Sequence, residues 1–215
     1  MSEPRPFLVG VAGGSGSGKS TLVRALTAIL GADRVAVLSH DSYYCDRSQL
    51  PAAQRTKLGY DAPEALDTEL FLEHLVALRA SRPVRPPRYC FSTHRRVGME
   101  APVDARPIVL VDGVLLLHDP RIRALLDLTI FLDVPDATRL SRRTRGDTSE
   151  ESRPRRSGLS AYEAIVGGSH ARYVEPTKAL ADLVLLNVGR VDRLAEIASS
   201  VILDRIDRRS RGAAA

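Results

Sequence analysis

Phe7-Leu8-Val9-Gly10-Val11-Ala12-Gly13-Gly14-Ser15-Gly16-Ser17-Gly18-Lys19-Ser20-Thr21 decides the fold. An uncharged apolar run reads as a buried strand, a glycine-rich turn follows it, and Leu22, Leu26, Ile29 and Leu30 then show helical spacing, stopped by Gly31. The turn fits the pattern G-x-x-x-x-G-K-[ST]. In that pattern the backbone N–H groups of Gly13, Gly14, Ser15, Gly16, Ser17 and Gly18 close around phosphate oxygens. The following helix points its N-terminus at the same anion. On this reading Lys19 reaches the β- and γ-phosphates of a nucleotide, Ser20 ligates Mg²⁺, and Thr21 completes the nucleotide-facing stretch. A chance match in a chain of this length is about a one-in-a-hundred event, and the strand-before, helix-after context reinforces the match.

Working outward, further apolar runs at 34–38, 108–111, 128–134 and 183–186 read as strands. Amphipathic stretches at 66–80, 159–174 and 191–206 read as helices. Asp119-Pro120 opens a short helix, as cap and first-turn proline. Pro83, Pro86 and Pro87, with an alternating aromatic pattern, make 82–97 an irregular excursion with a short hairpin. Continuous apolar strands alternating with helices imply a parallel sheet covered on both faces.

Composition agrees. The chain has 215 residues, 44% hydrophobic and 27% charged, which excludes a mostly disordered or collagen-like chain. The longest apolar stretch, 108–117, is broken by Asp112 and Gly113 and is too short for a bilayer. The first residues carry no signal-peptide pattern. Cys45 and Cys90 are the two cysteines and stand far apart, so neither a disulfide framework nor a thiolate zinc site is expected, and a reducing cytoplasm is. A net charge of +5 favours anionic partners. Six tyrosines, four phenylalanines and no tryptophan supply few stacking platforms, which argues against a specific nucleic-acid partner.

In an open parallel sheet, ligands gather at the carboxyl ends of the strands. Asp41 and Asp112 fall there. A kinase needs one carboxylate to take the proton of the attacking hydroxyl and another to hold Mg²⁺; Asp41 suits the first role and Asp112 the second. A turn-forming role for Asp41 and a capping role for Asp112 are the competing readings. Asp61, just before Ala62-Pro63, suits two adjacent ribose hydroxyls or a helix cap.

The P-loop, Asp41-Ser42-Tyr43-Tyr44, Tyr60 to Asp67, Tyr89 to His94, Asp136 to Arg143, and Glu175-Pro176-Thr177-Lys178 form an ordered set. On these residues the chain resembles the uridine/cytidine kinases of the P-loop kinase superfamily, from about Phe7 to Asn187. The resemblance implies an α/β fold of P-loop NTPase type. Its three layers, α/β/α, hold a five-stranded, mostly parallel sheet with helices on both faces, a lid and a small hairpin excursion. One kinase domain would span 1–207, with the lid at about 136–158 and a flexible basic tail at 208–215.

It implies ATP- and Mg²⁺-dependent phosphorylation of uridine and cytidine at the 5′-hydroxyl, in pyrimidine salvage. Position by position, Asp41 matches the general base, Tyr44 the nucleoside site, Asp61 the ribose carboxylate, and Tyr89, Phe91 and His94 the base pocket. Arg143 and Arg153 match arginines that close onto the site; Arg139, Arg142 and Arg143, at i, i+3 and i+4, share one helix face. A homo-oligomer, a tetramer by resemblance, is implied too. A histidine and a tyrosine can each donate or accept, so His94 and Tyr89 suit both pyrimidines; an exposed loop histidine is the alternative for His94. His40, His74, His118 and His170 read as structural or surface residues.

The pattern breaks in the lid. Gly146 and Glu151 stand where the family carries arginine, Gly167-Gly168 replaces a basic residue and proline, and Asp112 stands where glutamate is common. Either Arg145, Arg155 or Arg156 substitutes for the missing arginines, or the enzyme is slow or uses an unusual donor, or it phosphorylates another small molecule such as pantothenate, nicotinamide riboside or a sugar phosphate. A nucleotide-binding regulator without turnover is a further alternative.

Overall fold

The structure is a computed structural model that describes residues 5–51, 62–145 and 168–212. In chain order the strands are β1 (Phe7–Ala12), β2 (Val35–Ser39), β3 (Pro87–Cys90), β4 (Arg95–Met99), β5 (Ile108–Gly113), β6 (Leu128–Asp133) and β7 (Leu183–Leu186). The helices are α1 (Lys19–Leu30), α2 (Thr68–Arg79), α3 (Pro120–Leu125), α4 (Asp136–Arg145) and α5 (Val191–Gly212). Five parallel strands form one sheet in the order β2-β5-β1-β6-β7, and β3 and β4 pair as a separate antiparallel hairpin.

Alternate side chains of β1, β2, β5 and β6 feed two cores, while β7 at the edge feeds one of them through Leu183 and Leu185. Leu8, Leu38, Val109, Val111 and Phe131 meet Phe71, Leu75 and Leu78 of α2 and Ile122 of α3 on one face. Val9, Val11, Leu110, Ile130 and Leu132 meet Leu22 and Leu26 of α1 and Ala195, Ala198 and Ile202 of α5 on the other. Every residue of β1 and β5 is buried. That two-sided burial, worth about 1.5–3 kcal/mol per large aliphatic side chain, is why these strands read as unbroken apolar runs. The chain thus has the three-layer α/β/α fold of the P-loop kinases.

Three elements depart from the sequence expectation. The helix expected from Leu66 starts at Thr68, because the Asp67 carboxylate caps it by accepting from the Leu70 N–H at 3.2 Å; Leu66 stays extended and bridges to Tyr44. The helix expected over 159–174 lies partly outside the described residues. Its described end is a π turn, His170–Val174, running into a 3-10 turn, Glu175–Leu180. Pro176 explains the change: it has no N–H to give and its ring collides with the carbonyl four residues earlier, so the Glu175 N–H reaches back to His170 O instead. Finally, the last helix, expected over 191–206, runs on to Gly212. Arg209 fastens it, donating to Arg5 O at 2.8 Å and lying 4.9 Å from the Phe7 ring centroid.

Candidate active site

Strand β1 delivers the chain to the point where the sheet order reverses direction, and the glycine turn hangs from its carboxyl end. Gly13, at φ 143°, leaves the strand so close to β6 that a Cβ would lie 2.5 Å from Leu132 O. No L side chain tolerates both conditions. The Ser17 N–H closes the turn on Gly14 O at 3.1 Å. Lys19 is buried, and its Nζ donates to Gly13 O at 3.0 Å and Gly14 O at 3.1 Å, which holds the ammonium against the loop.

The two carboxylates come from neighbouring strand ends. Ser39 pairs in register with Asp112, and Asp41 follows two residues later in the 3-10 turn His40–Tyr43. Asp112 is buried, and its Oδ2 accepts from Ser20 Oγ at 3.3 Å. Burial, and after it the charge of Asp41, hold the Asp112 carboxyl above the usual carboxylate range, against the pull of Lys19. A hydroxyl and a buried carboxylate strained by a second carboxylate are hard oxygen donors that Mg²⁺ would relieve, and Mg²⁺ needs only one or two carboxylates beside substrate phosphates. The residues present fit that ion.

Beyond Asp41 the chain enters an aromatic cluster. Tyr44 lies 5.3 Å from Tyr89 and 5.4 Å from Phe91, and those two rings lie 5.1 Å apart. His94 is buried at the hairpin tip with φ 57°. Arg96, not foreseen from the sequence, ties this hairpin down: it donates to Tyr44 O at 3.0 Å, Tyr43 O at 3.4 Å and Asp67 at 3.0 Å. Behind Asp41, His40 stacks on Phe71 at 4.2 Å and fills the space that Gly113 leaves.

Helix α4 covers the loop from β6. Arg139 is buried, bonds Asp136, and lays its guanidinium on Gly14, where a Cβ would meet Nη1 at 2.5 Å. Arg142 donates to Ser17 O at 3.4 Å and Asn187 O at 3.3 Å, while Asn187 Nδ2 donates to Ser17 O at 2.8 Å. Arg142 was expected as one of the arginines on this helix face, but its bonds to Ser17 and Asn187 were not, and Asn187 itself was not foreseen, since the partners are remote in the chain.

The structure therefore gathers Gly13, Gly14, Ser15, Gly16, Ser17, Gly18, Lys19, Ser20, Thr21, Asp41, Asp112 and Arg139 around one turn, with Tyr44, Tyr89, Phe91 and His94 in the adjoining hairpin region. Asp61 and Arg153 lie outside the described residues, as do Gly146 and Glu151 of the lid; Arg143 is placed on α4 by its backbone alone.

A family model described as "Phosphoribulokinase / Uridine kinase family" matches residues 8–193. A uridine kinase of Chloroflexus aurantiacus is 38% identical over 202 residues, covering 94% of this chain and 95% of that one. One of Clostridium perfringens is 39% identical over 185 residues, covering 86% and 89%. Among solved structures, a putative fructose transport system kinase from Silicibacter superposes with a TM-score of 0.66 at 28% identity, covering 85% of this chain and 91% of that one. A possible uridine kinase from Bacillus stearothermophilus, at 20% identity and a TM-score of 0.60 over 86% and 91% of the two chains, shares the fold. No helix among the described residues is long and apolar enough to cross a membrane. A match over 186 residues, with relatives alike along almost their whole length, makes this chain a kinase of the phosphoribulokinase / uridine kinase family.

Proposed function

We propose that the protein transfers the γ-phosphoryl group of ATP to the 5′-hydroxyl of uridine and cytidine, giving UMP and CMP for pyrimidine salvage in the cytoplasm. Membership of a kinase family implies ATP as the donor; the acceptor is our reading. The observation that carries it is the position of Asp41. It stands between the phosphate loop with Asp112 on one side and the Tyr44–Tyr89–Phe91 cluster on the other, where a nucleoside with its flat base on those rings would present the primary hydroxyl of its ribose.

Asp41 accepts the proton of the 5′-hydroxyl as its oxygen bonds to the γ-phosphorus and the bond to the β-phosphate oxygen breaks. Lys19 and the loop N–H groups take up the charge on the phosphates. Ser20 and Asp112 would hold Mg²⁺, which when bound neutralises phosphate charge. Tyr89, Phe91 and His94 hold the base, Tyr44 lines the same pocket, and Asp61 takes the ribose hydroxyls. Arg139, Arg143 and Arg153 serve the phosphates. A homo-oligomer is part of the proposal; a specific nucleic acid or a membrane is not.

The test is ADP release from ATP and Mg²⁺ with uridine, cytidine, adenosine, pantothenate, nicotinamide riboside and fructose in turn. Turnover with a pyrimidine nucleoside, lost by a factor of about 10³ or more in Asp41→Ala, is the expected result. A second reading, a sugar-type acceptor, draws on the 28% identity to the putative fructose transport system kinase and on Gly146 and Glu151. Turnover with fructose and none with the nucleosides would replace the first reading by the second.

A further inference from the structure

The motif Glu175-Pro176-Thr177-Lys178 has no part in the reaction proposed above, yet its charged side chains form a connected row that leads to the phosphate loop. Lys178 Nζ donates to Asp133 Oδ2, at the end of β6, at 2.6 Å and lies 3.7 Å from Glu175 Oε1. Glu175 Oε2 lies 3.4 Å from Nε2 of His170, the first residue of the π turn. His170 in turn abuts Gly14: a Cβ there would lie 2.9 Å from the imidazole Cε1 and 2.5 Å from Arg139 Nη1. The imidazole and the guanidinium share one face of the loop.

Glu175 and Asp136 face the ring with negative charge and Arg139 with positive. With Nε2 directed at Glu175, the ring proton belongs on Nε2 and Nδ1 is an acceptor. Burial, helped by Arg139, keeps His170 below its usual pKa and so neutral. Nδ1 of His170 and Nε of Arg139 are both buried without a hydrogen-bond partner among the described residues, one an acceptor and the other a donor. Buried orphans of this kind call for an explanation, and π turns recur at functional sites.

We propose that His170 is a positioning residue for Arg139. Anchored through Glu175 and Lys178 to the end of β6, it holds the guanidinium over Gly14. Its Nδ1 takes the Arg139 Nε–H when the guanidinium turns from Asp136 to the nucleotide phosphates. This rests on the reading of the loop as an ATP site and does not depend on which acceptor is phosphorylated.

The experiment is calorimetric titration of the whole chain with ATP and Mg²⁺, without acceptor. His170→Ala is expected to weaken ATP binding by about tenfold in the unaltered background and by less than about twofold in Arg139→Ala, because coupled residues lose additivity. His170→Gln, whose amide can donate to Glu175 and accept from Arg139, should restore most of the affinity and guards against a folding defect. The same loss in both backgrounds, or no loss in either, overturns the proposal. Failure of the unaltered chain to bind ATP overturns the nucleotide reading with it, which keeps the two failures distinct.

Discussion

His40 lies flat against Phe71 with both ring nitrogens buried and without a hydrogen-bond partner among the described residues. Burial pulls its pKa down to about 4; the charges of Asp41 and Asp119 pull the other way and lose. In the unfolded chain the imidazole titrates near its free value, about 6.5. Between these two values the unfolded state holds a proton that the folded state rejects. Stability is therefore complete above about pH 6.5 and falls as the pH drops, approaching about 1.4 kcal/mol per pH unit. Burial also lowers His74 and His170, which act in the same direction. Thermal melting should accordingly show Tm falling between about pH 7 and 5, and His40→Phe, which keeps the stack and removes the proton, should flatten that slope. An equal slope in the variant would count against this account.

At the scale of elements, the β3–β4 hairpin is held to the rest of the molecule by the packing of Tyr89 and Phe91 on Tyr44 and by the guanidinium of Arg96. Arg96 joins it to the turn after β2 and to the cap of α2. Arg96→Ala should let the aromatic cluster shift, raising the acceptor KM by about tenfold while ATP affinity stays where it was; steady-state kinetics with each substrate varied in turn would show whether the two effects separate. Equal loss toward both substrates would place Arg96 in general folding.

Elements also show why some of the molecule was readable in advance. β1, β5 and β6 were legible because burial on both faces leaves an apolar run, and the edge strands β2 and β7 because they stay apolar even where Val37, Val184 and Leu186 are exposed. The P-loop, Asp41 and Asp112 were legible because strand ends fix where ligands collect. The start of α2 was misjudged because Leu66 continues the helical spacing while Asp67, a better cap, interrupts it. The π turn depends on Pro176 acting backwards along the chain. Arg142 and Asn187 meet Ser17 across 125 and 170 positions, a proximity no local pattern encodes. His170, read as structural or surface, stands in a stretch whose helical spacing says nothing of the P-loop, and only folding brings it to Gly14.

On the scale of the whole molecule, Asp127 fastens the amino-terminal edge of the sheet. Its carboxylate accepts from the Leu8 N–H at 2.9 Å and from Arg5 at 2.8 and 3.0 Å, and lies within 3.6 Å of Arg209 and 4.0 Å of Arg79. One acid thus joins β1, α2, α5 and the segment before β1. Asp127→Ala strands a buried N–H and leaves the guanidiniums facing one another, so urea unfolding should show a loss of about 2–3 kcal/mol with the ATP affinity of the folded protein unchanged. A loss under about 0.5 kcal/mol would mean the carbonyls of Arg5, Pro6 and Leu125 suffice as acceptors.

The bond from Arg209 to Arg5 O has a practical meaning as well. The path into the fold and the path out of it share one pole, while the phosphate loop occupies the other, at the far end of β1. A dye, a surface tether or a fused protein attached at that pole stays a full strand length from the chemistry. Joining the two paths with a short linker and reopening the chain elsewhere would preserve the order of the sheet.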